Sequence, residues 1–186
     1  LAEQKQHPHQ FATERMLAPL ASEIAFFSFE DMKKVENPNL RSLNPNAKHE
    51  LGSDFTVAGV DVGKKRHPTH IVIYSSKNEK LTQVLQLWLD GWNYMDQAKL
   101  LNELVVNFGI NVGYVDATRS ELEERGLNSV WKLVVFTQKN KFSMATTFER
   151  YIHSGKIEMI ADERQRSQIT IVDNELKAPA TPLGHG

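Results

Sequence analysis

Phe55-Thr56-Val57-Ala58-Gly59-Val60-Asp61-Val62-Gly63 is an apolar, β-branched run with one acidic residue near its end. Its composition is that of a strand, and a glycine closes it. A carboxylate set among apolar residues costs on the order of several kcal/mol unless it meets a positive partner or a metal ion. Asp61 therefore requires such a partner.

Downstream, residues 69–75 and 81–89 are two more stretches rich in β-branched and aliphatic side chains, set off by polar breaks at 63–68 and 76–80. Together with the first run they predict an antiparallel meander. Helical spacing then takes over from Tyr94 to Phe108, with Met95, Leu100, Leu101, Leu104 and Val105 on the apolar side. A short strand over 112–115 follows and runs into Asp116, which repeats the situation of Asp61. Thr118, with Glu121 three residues on, caps a helix over 119–125 that Gly126 stops. Residues 130–136 read as a strand, 142–153 as a helix closed at Gly155, and 156–160 and 169–172 as two short final strands.

This order predicts an α/β fold: a mixed sheet of three antiparallel strands, then strands joining in parallel through right-handed crossovers, flanked by helices. The first strand is central if the fourth pairs with it, and Asp61 and Asp116 then close neighbouring strands. Ligands gather at such strand ends in open α/β sheets. Carboxylate oxygens suit Mg2+ or Mn2+, and two such ions about 4 Å apart serve phosphodiester hydrolysis by activating water and stabilising the leaving oxygen. Taken singly, either aspartate reads as a strand-end residue capping a turn. The pair in this element order carries the metal reading.

Residues 1–53 differ in character. Phe11, Met16 and Leu17 have helix-like spacing, Ser28-Phe29-Glu30-Asp31 resembles a capping box, and Asn37-Pro38-Asn39 and Asn44-Pro45-Asn46 are loop signals. We read 1–53 as a connector and 54–186 as the domain proper. A start at Leu1 rather than at a methionine is what a piece of a longer chain would show.

Bulk properties narrow the class. The 186 residues are 40% hydrophobic and 24% charged, which fits a soluble globular domain. The absence of cysteine excludes disulfides, zinc ribbons, iron–sulfur clusters and thiol catalysis. No apolar stretch approaches a bilayer span, so no membrane partner is expected. A net charge of −1 leaves room for a basic patch beside an acidic site.

The run Phe55–Arg66, followed by His67-Pro68-Thr69 and a second strand, resembles the first nuclease motif of phage terminase large subunits. Tyr114-Val115-Asp116-Ala117-Thr118 is similar to their second acidic motif. Phe11-Ala12-Thr13-Glu14 and Ala25-Phe26-Phe27-Ser28 look like the connector between their packaging ATPase and nuclease. The resemblance implies a ribonuclease-H-like fold and a metal-dependent endonuclease that cuts double-stranded viral DNA, with little sequence specificity, when packaging starts and stops. It implies Mg2+ or Mn2+ in a two-metal site with Asp61 and Asp116 as catalytic ligands. An ATPase domain in the same full-length chain, the small terminase subunit and the portal would be partners, and host cytoplasm the setting.

The family has a third acidic residue on a C-terminal helix, and here the sequence stops at Gly184-His185-Gly186, so that ligand is expected beyond Gly186. Asp162 and Asp173 are substitutes on paper, with loop or edge roles as the plainer reading. His185 stands where some terminases place a histidine near the metals; its other reading is a loose penultimate residue. Lys64, Lys65, Arg66, Arg119, Lys139 and Lys141 are candidate DNA phosphate contacts, against the reading that they are solvated turns or, for Arg119, a partner of Glu123. His67, His70, His7 and His9 are not expected to bind metal. Trp88, Trp92 and Trp131 are expected in the core rather than stacked on bases.

Other readings share parts of the pattern. Actin-like ATPases and sugar kinases begin with a similar glycine-flanked aspartate but need a second lobe. A Holliday-junction resolvase or transposase core has the same metal logic, and a catalytically silent DNA-binding or motor-docking module would keep the fold without the chemistry.

Overall fold

Thr56, Ala58 and Val60 are buried while Phe55 and Asp61 are exposed, a period-two alternation that makes Phe55–Asp61 a strand with one face toward a core. The structure is a computed structural model and describes residues 25–63, 67–116, 122 and 126–177. In chain order the elements are α1 (Phe29–Val35), β1 (Glu36–Asn37), β2 (Phe55–Asp61), β3 (Thr69–Lys77), β4 (Lys80–Leu89), α2 (Tyr94–Phe108), β5 (Val112–Asp116), β6 (Trp131–Val134), α3 (Gln138–His153), β7 (Ile157–Ile160) and α4 (Glu163–Thr170).

The strands form one seven-stranded sheet in the order β1-β7-β4-β3-β2-β5-β6. β2, β3 and β4 are the expected antiparallel meander, and β5 and β6 add in parallel beyond β2. β2 is thus interior, between β3 and β5. Asn78 and Glu79, both with positive φ, form the turn between β3 and β4, the backbone geometry a two-residue hairpin demands.

Two compact units make up the chain, and one consists of Asn37–Asn140 with Lys156–Ile160. Its core lies on one side of the sheet. Asn93 caps α2 by accepting from the Asp96 amide, Gly109 ends it at φ +62, and Ala98, Leu101, Leu104 and Phe108 are buried with Val60, Ile71, Ile73, Leu85 and Val115. At about 25 cal/mol per Å2 of apolar surface, each such side chain contributes roughly 1.5–3 kcal/mol. Met95, expected on this face, is 64% exposed, because at 100° per residue it falls on the opposite face of α2, in phase with the exposed Lys99 and Val106.

Trp131 is 6% exposed and donates its indole Nε1–H to the Leu101 carbonyl of α2 at 3.2 Å. It reaches that helix by lying across Gly113, its neighbour on β5, where a Cβ would meet the ring at 2.3 Å. Trp88 is half-buried, but Trp92, expected in the core, is 45% exposed in the loop ahead of α2.

The second unit is described over residues 25–36, 141–155 and 161–177. Ser28 caps α1 as the sequence indicates, accepting from the Asp31 amide at 3.0 Å. Arg166 of α4 clasps Glu36 with two hydrogen bonds, 2.5 and 2.8 Å, and lies over the Phe29 ring. Phe27 packs on Phe148 with ring centroids 5.1 Å apart. The strand expected over 169–172 is absent: Asp162 caps a helix by accepting from the Gln165 amide at 2.7 Å, and that helix runs through Thr170. Extended pairing is limited to Asp173, which bridges Ala25. The cap outweighed the β-branched composition of Ile169-Thr170-Ile171-Val172. The helix expected from 142 begins at Gln138. The helices expected over 8–17 and 119–125 lie outside the described residues, apart from Leu122, which is buried.

An alanine at 113 gains a little from a less flexible unfolded chain, about 0.4–1 kcal/mol. Overpacking against the Trp131 ring costs about 1–3 kcal/mol and wins. Gly113→Ala should therefore lower the urea midpoint, read by tryptophan fluorescence; an unchanged midpoint would mean that the ring does not rest on β5.

Candidate active site at the ends of β2 and β5

Asn111, directly ahead of β5, engages both main-chain groups of Thr56. Its amide donates to the Thr56 carbonyl at 2.9 Å, and its side-chain Oδ1 accepts from the Thr56 amide at 2.7 Å. From this clamp β2 and β5 run in parallel, Val57 opposite Val112 and Val60 opposite Val115. One residue further both strands end, at Asp61 and Asp116. Because Val60 and Val115 face the core, alternation turns both aspartates to the opposite face of the sheet.

The surroundings act on the Asp61 carboxyl. Asp61 is exposed as a residue, yet protein crowds its carboxyl enough to raise its pKa above the ordinary carboxylate value by desolvation, and the negative charge of Asp116 adds to the rise. Like charges converging on one strand edge are what a bound cation relieves.

A buried chain of hydrogen bonds lies next to Asp61. The Gly63 amide donates to Thr69 Oγ1 at 3.0 Å, Thr69 Oγ1 donates to Gln97 Oε1 at 2.8 Å, and Gln97 Nε2 donates to the Trp92 carbonyl at 2.9 Å. Thr69 and Gln97 are 1% and 3% exposed. Gly63 has no room for a Cβ, which would lie 2.0 Å from the His67 carbonyl oxygen.

Sequence reasoning did not single out Asn111, Thr69 or Gln97. Gln97 left a signal, a polar residue at a core position of an amphipathic helix, one turn before Leu101. Asn111 and Thr69 are ordinary residues for a loop and for a strand start.

The other expected site residues are placed as follows. His70 pairs with Asp61 across the β2–β3 ladder, stacks on Trp88 at 3.8 Å, and shares a 3.0 Å hydrogen bond with Gln86. His67 is exposed. Lys139 is exposed in the first turn of α3, a few residues after Val134, which pairs with Asp116. Lys141, also exposed, belongs to the other compact unit. Asp162 caps α4, and Asp173 accepts from the amides of Glu175 and Lys177 at 2.9 and 3.0 Å, so each has a local role. Lys64, Lys65, Arg66, Arg119, His185, His7 and His9 lie outside the described residues.

Asp61 and Asp116 suit a divalent cation in chemistry and charge. Among the described residues, no group of three or more acidic or histidine side chains is arranged to hold a metal. No helix among the described residues is long and apolar enough to cross a membrane.

The fold is similar to that of solved phage large terminase nucleases. The large terminase nuclease from thermophilic phage G20c superimposes with a TM-score of 0.66 at 12% identity, over 80% of this chain and 81% of that one. The same nuclease with bound magnesium gives 0.63 at 13% identity, over 81% and 82%. The HK97 bacteriophage large terminase gives 0.59 at 10% identity, over 79% of this chain and 36% of that one. No protein-family model matches the sequence, and no curated protein matches it. At these identities the shared property is the fold.

The raised pKa of Asp61 has a consequence for stability. The folded state holds the Asp61 proton to higher pH than the unfolded chain does, so ionised Asp61 destabilises the fold above its folded pKa. The cost fades as pH falls from the folded pKa toward the ordinary carboxylate value, about 3.9, and is gone below it. Asp61→Asn should therefore melt higher than wild type at pH 7 in metal-free buffer, and the difference should shrink toward zero near pH ~3.5. Millimolar Mn2+ should raise the wild-type midpoint and leave the variant's unchanged. Equal midpoints at pH 7 without metal would show that the carboxylates do not strain the fold.

Proposed function

We propose that this chain is the nuclease domain of a phage large terminase, a divalent-metal-dependent endonuclease that cuts double-stranded DNA during genome packaging. The observation that carries the reading is the convergence of Asp61 and Asp116 at the ends of adjacent parallel strands, each acid on the face away from the core. The fold shared with the G20c nuclease, itself solved with magnesium, supports it.

In this reading Asp61 and Asp116 hold a divalent metal, Mg2+ or Mn2+. When bound, the cation supplies Lewis acidity and charge neutralisation for in-line hydrolysis of a phosphodiester. The carboxylates fix its position against the rigid end of the sheet. Lys139, with Lys64, Lys65, Arg66, Arg119 and Lys141, contacts phosphates and so binds DNA without reading bases, which gives little sequence preference. His185 is assigned as a further ligand or proton shuttle in this reading. The likeness to the HK97 large terminase, of which this chain spans about a third, supports a motor ATPase in the same full-length protein. The small terminase subunit and the portal are the partners, in the host cytoplasm.

A second reading, a DNA-binding or motor-docking module without chemistry, draws on the two-carboxylate ligand set among the described residues. Supercoiled plasmid with Mn2+ separates them. The nuclease reading expects nicking and linearisation by this chain, and a loss of about a hundredfold or more in Asp61→Asn and Asp116→Asn, the scale of several kcal/mol of charge stabilisation. DNA affinity in a gel-shift assay should stay within a few-fold. Binding without cutting in all of these would establish the silent module.

A further inference from the structure

We infer that Thr69 and Gln97 are positioning residues for the acidic site, fixing the strand end that carries Asp61 through the amide of Gly63; the inference rests on the nuclease reading above.

Both side chains are almost wholly buried, and both are polar. Buried polar groups cost free energy unless they are hydrogen-bonded, and apolar residues of similar size would fill the same space without that demand. Here the demand is met by a directional chain from Gly63 N–H to Thr69 Oγ1, from Thr69 O–H to Gln97 Oε1, and from Gln97 Nε2 to the Trp92 carbonyl. Each group has the polarity its neighbour needs. The threonine hydroxyl and the Gln97 amide each accept on one side and donate on the other, so the donor-only Gly63 amide and the acceptor-only Trp92 carbonyl at the two ends fix the direction of the whole chain.

The location gives the chain its function. Gly63 lies two residues past Asp61, where β2 has ended and the strand ladder no longer restrains the backbone. On the other side, Gln97 sits in the first turn of α2, and Trp92 in the loop that leads into it. The strand end is therefore tied to a helix packed across the core and not only to the adjacent turn. The carbonyls of His67 and Pro68 close over the Gly63 α-carbon, so the backbone has little freedom to adjust there. A carboxylate that must meet Asp116 over one ion tolerates little displacement, and an error of about 1 Å in a reacting geometry costs on the order of a hundredfold in rate.

Thr69→Val removes the hydroxyl and keeps the shape, whereas Thr69→Ser keeps the hydroxyl and removes a methyl. Gln97→Leu breaks the same chain from its other end. With Mn2+ and plasmid DNA, Thr69→Val and Gln97→Leu should lower kcat by about ten- to a hundredfold with KM for DNA within about twofold, and Thr69→Ser should recover kcat to within about threefold of wild type. Independently of activity, amide hydrogen exchange followed by NMR should show Gly63 protected in wild type and Thr69→Ser and exchanging faster in Thr69→Val, with unchanged protection at Leu101 and Leu104 as proof of an intact core. Valine and serine variants that cut alike, or a Gly63 amide indifferent to the valine, would overturn the inference while leaving the nuclease reading in place. A wild-type chain that binds Mn2+ and DNA but does not cut would overturn the nuclease reading and with it the role assigned to these residues in catalysis.

Discussion

One asparagine sets the registration of the two strands that matter most. Asn111 holds the amide and the carbonyl of Thr56 at once, so β5 starts at a fixed height against β2. Side chains in a strand alternate between faces, and a slip of one residue would turn Asp116 into the core and bring Val115 level with Asp61. Parallel strands lack the tight turn that fixes register in a hairpin, and here α2 lies between the two partners. A local clamp supplies what the connection cannot.

Around that registration the packing is asymmetric. One face of the sheet is filled by α2 and by Trp131, whose ring occupies the space that Gly113 leaves open. The other face carries the acids at its carboxyl edge. Concentrating the apolar contacts on one side lets the strand ends carry charge without breaking the core, and the like-charge conflict between Asp61 and Asp116 is a local cost that the rest of the fold absorbs.

Much of this was legible in the sequence because it follows from period. β2, β3 and β4 alternate cleanly, α2 shows an apolar stripe between an asparagine cap and a glycine stop, and two lone aspartates close apolar runs. The errors arose where composition alone did not decide the outcome. Ile169-Thr170-Ile171-Val172 looks like a strand, yet the carboxylate of Asp162 starts a helix that runs into it. Met95 has an apolar side chain but falls on the solvent face of α2, and Trp92 lies in the loop ahead of that helix. The supporting shell was the hardest part to read, since Thr69 and Asn111 look like any strand start and any loop, and their meaning depends on partners 28 and 55 residues away.

The topology also orders events as the chain emerges from a ribosome. β2, β3 and β4 pair through short turns, so Asp61 is built into a finished hairpin early, with no second acid beside it. Asp116 arrives only after α2 has been made and β5 has closed a much longer loop, a step that is slower because its contacts are remote in sequence. The nascent protein thus passes through its early, partly structured forms with its acids apart. Their mutual repulsion enters only when β5 closes on β2, by which point the meander and α2 have already been made.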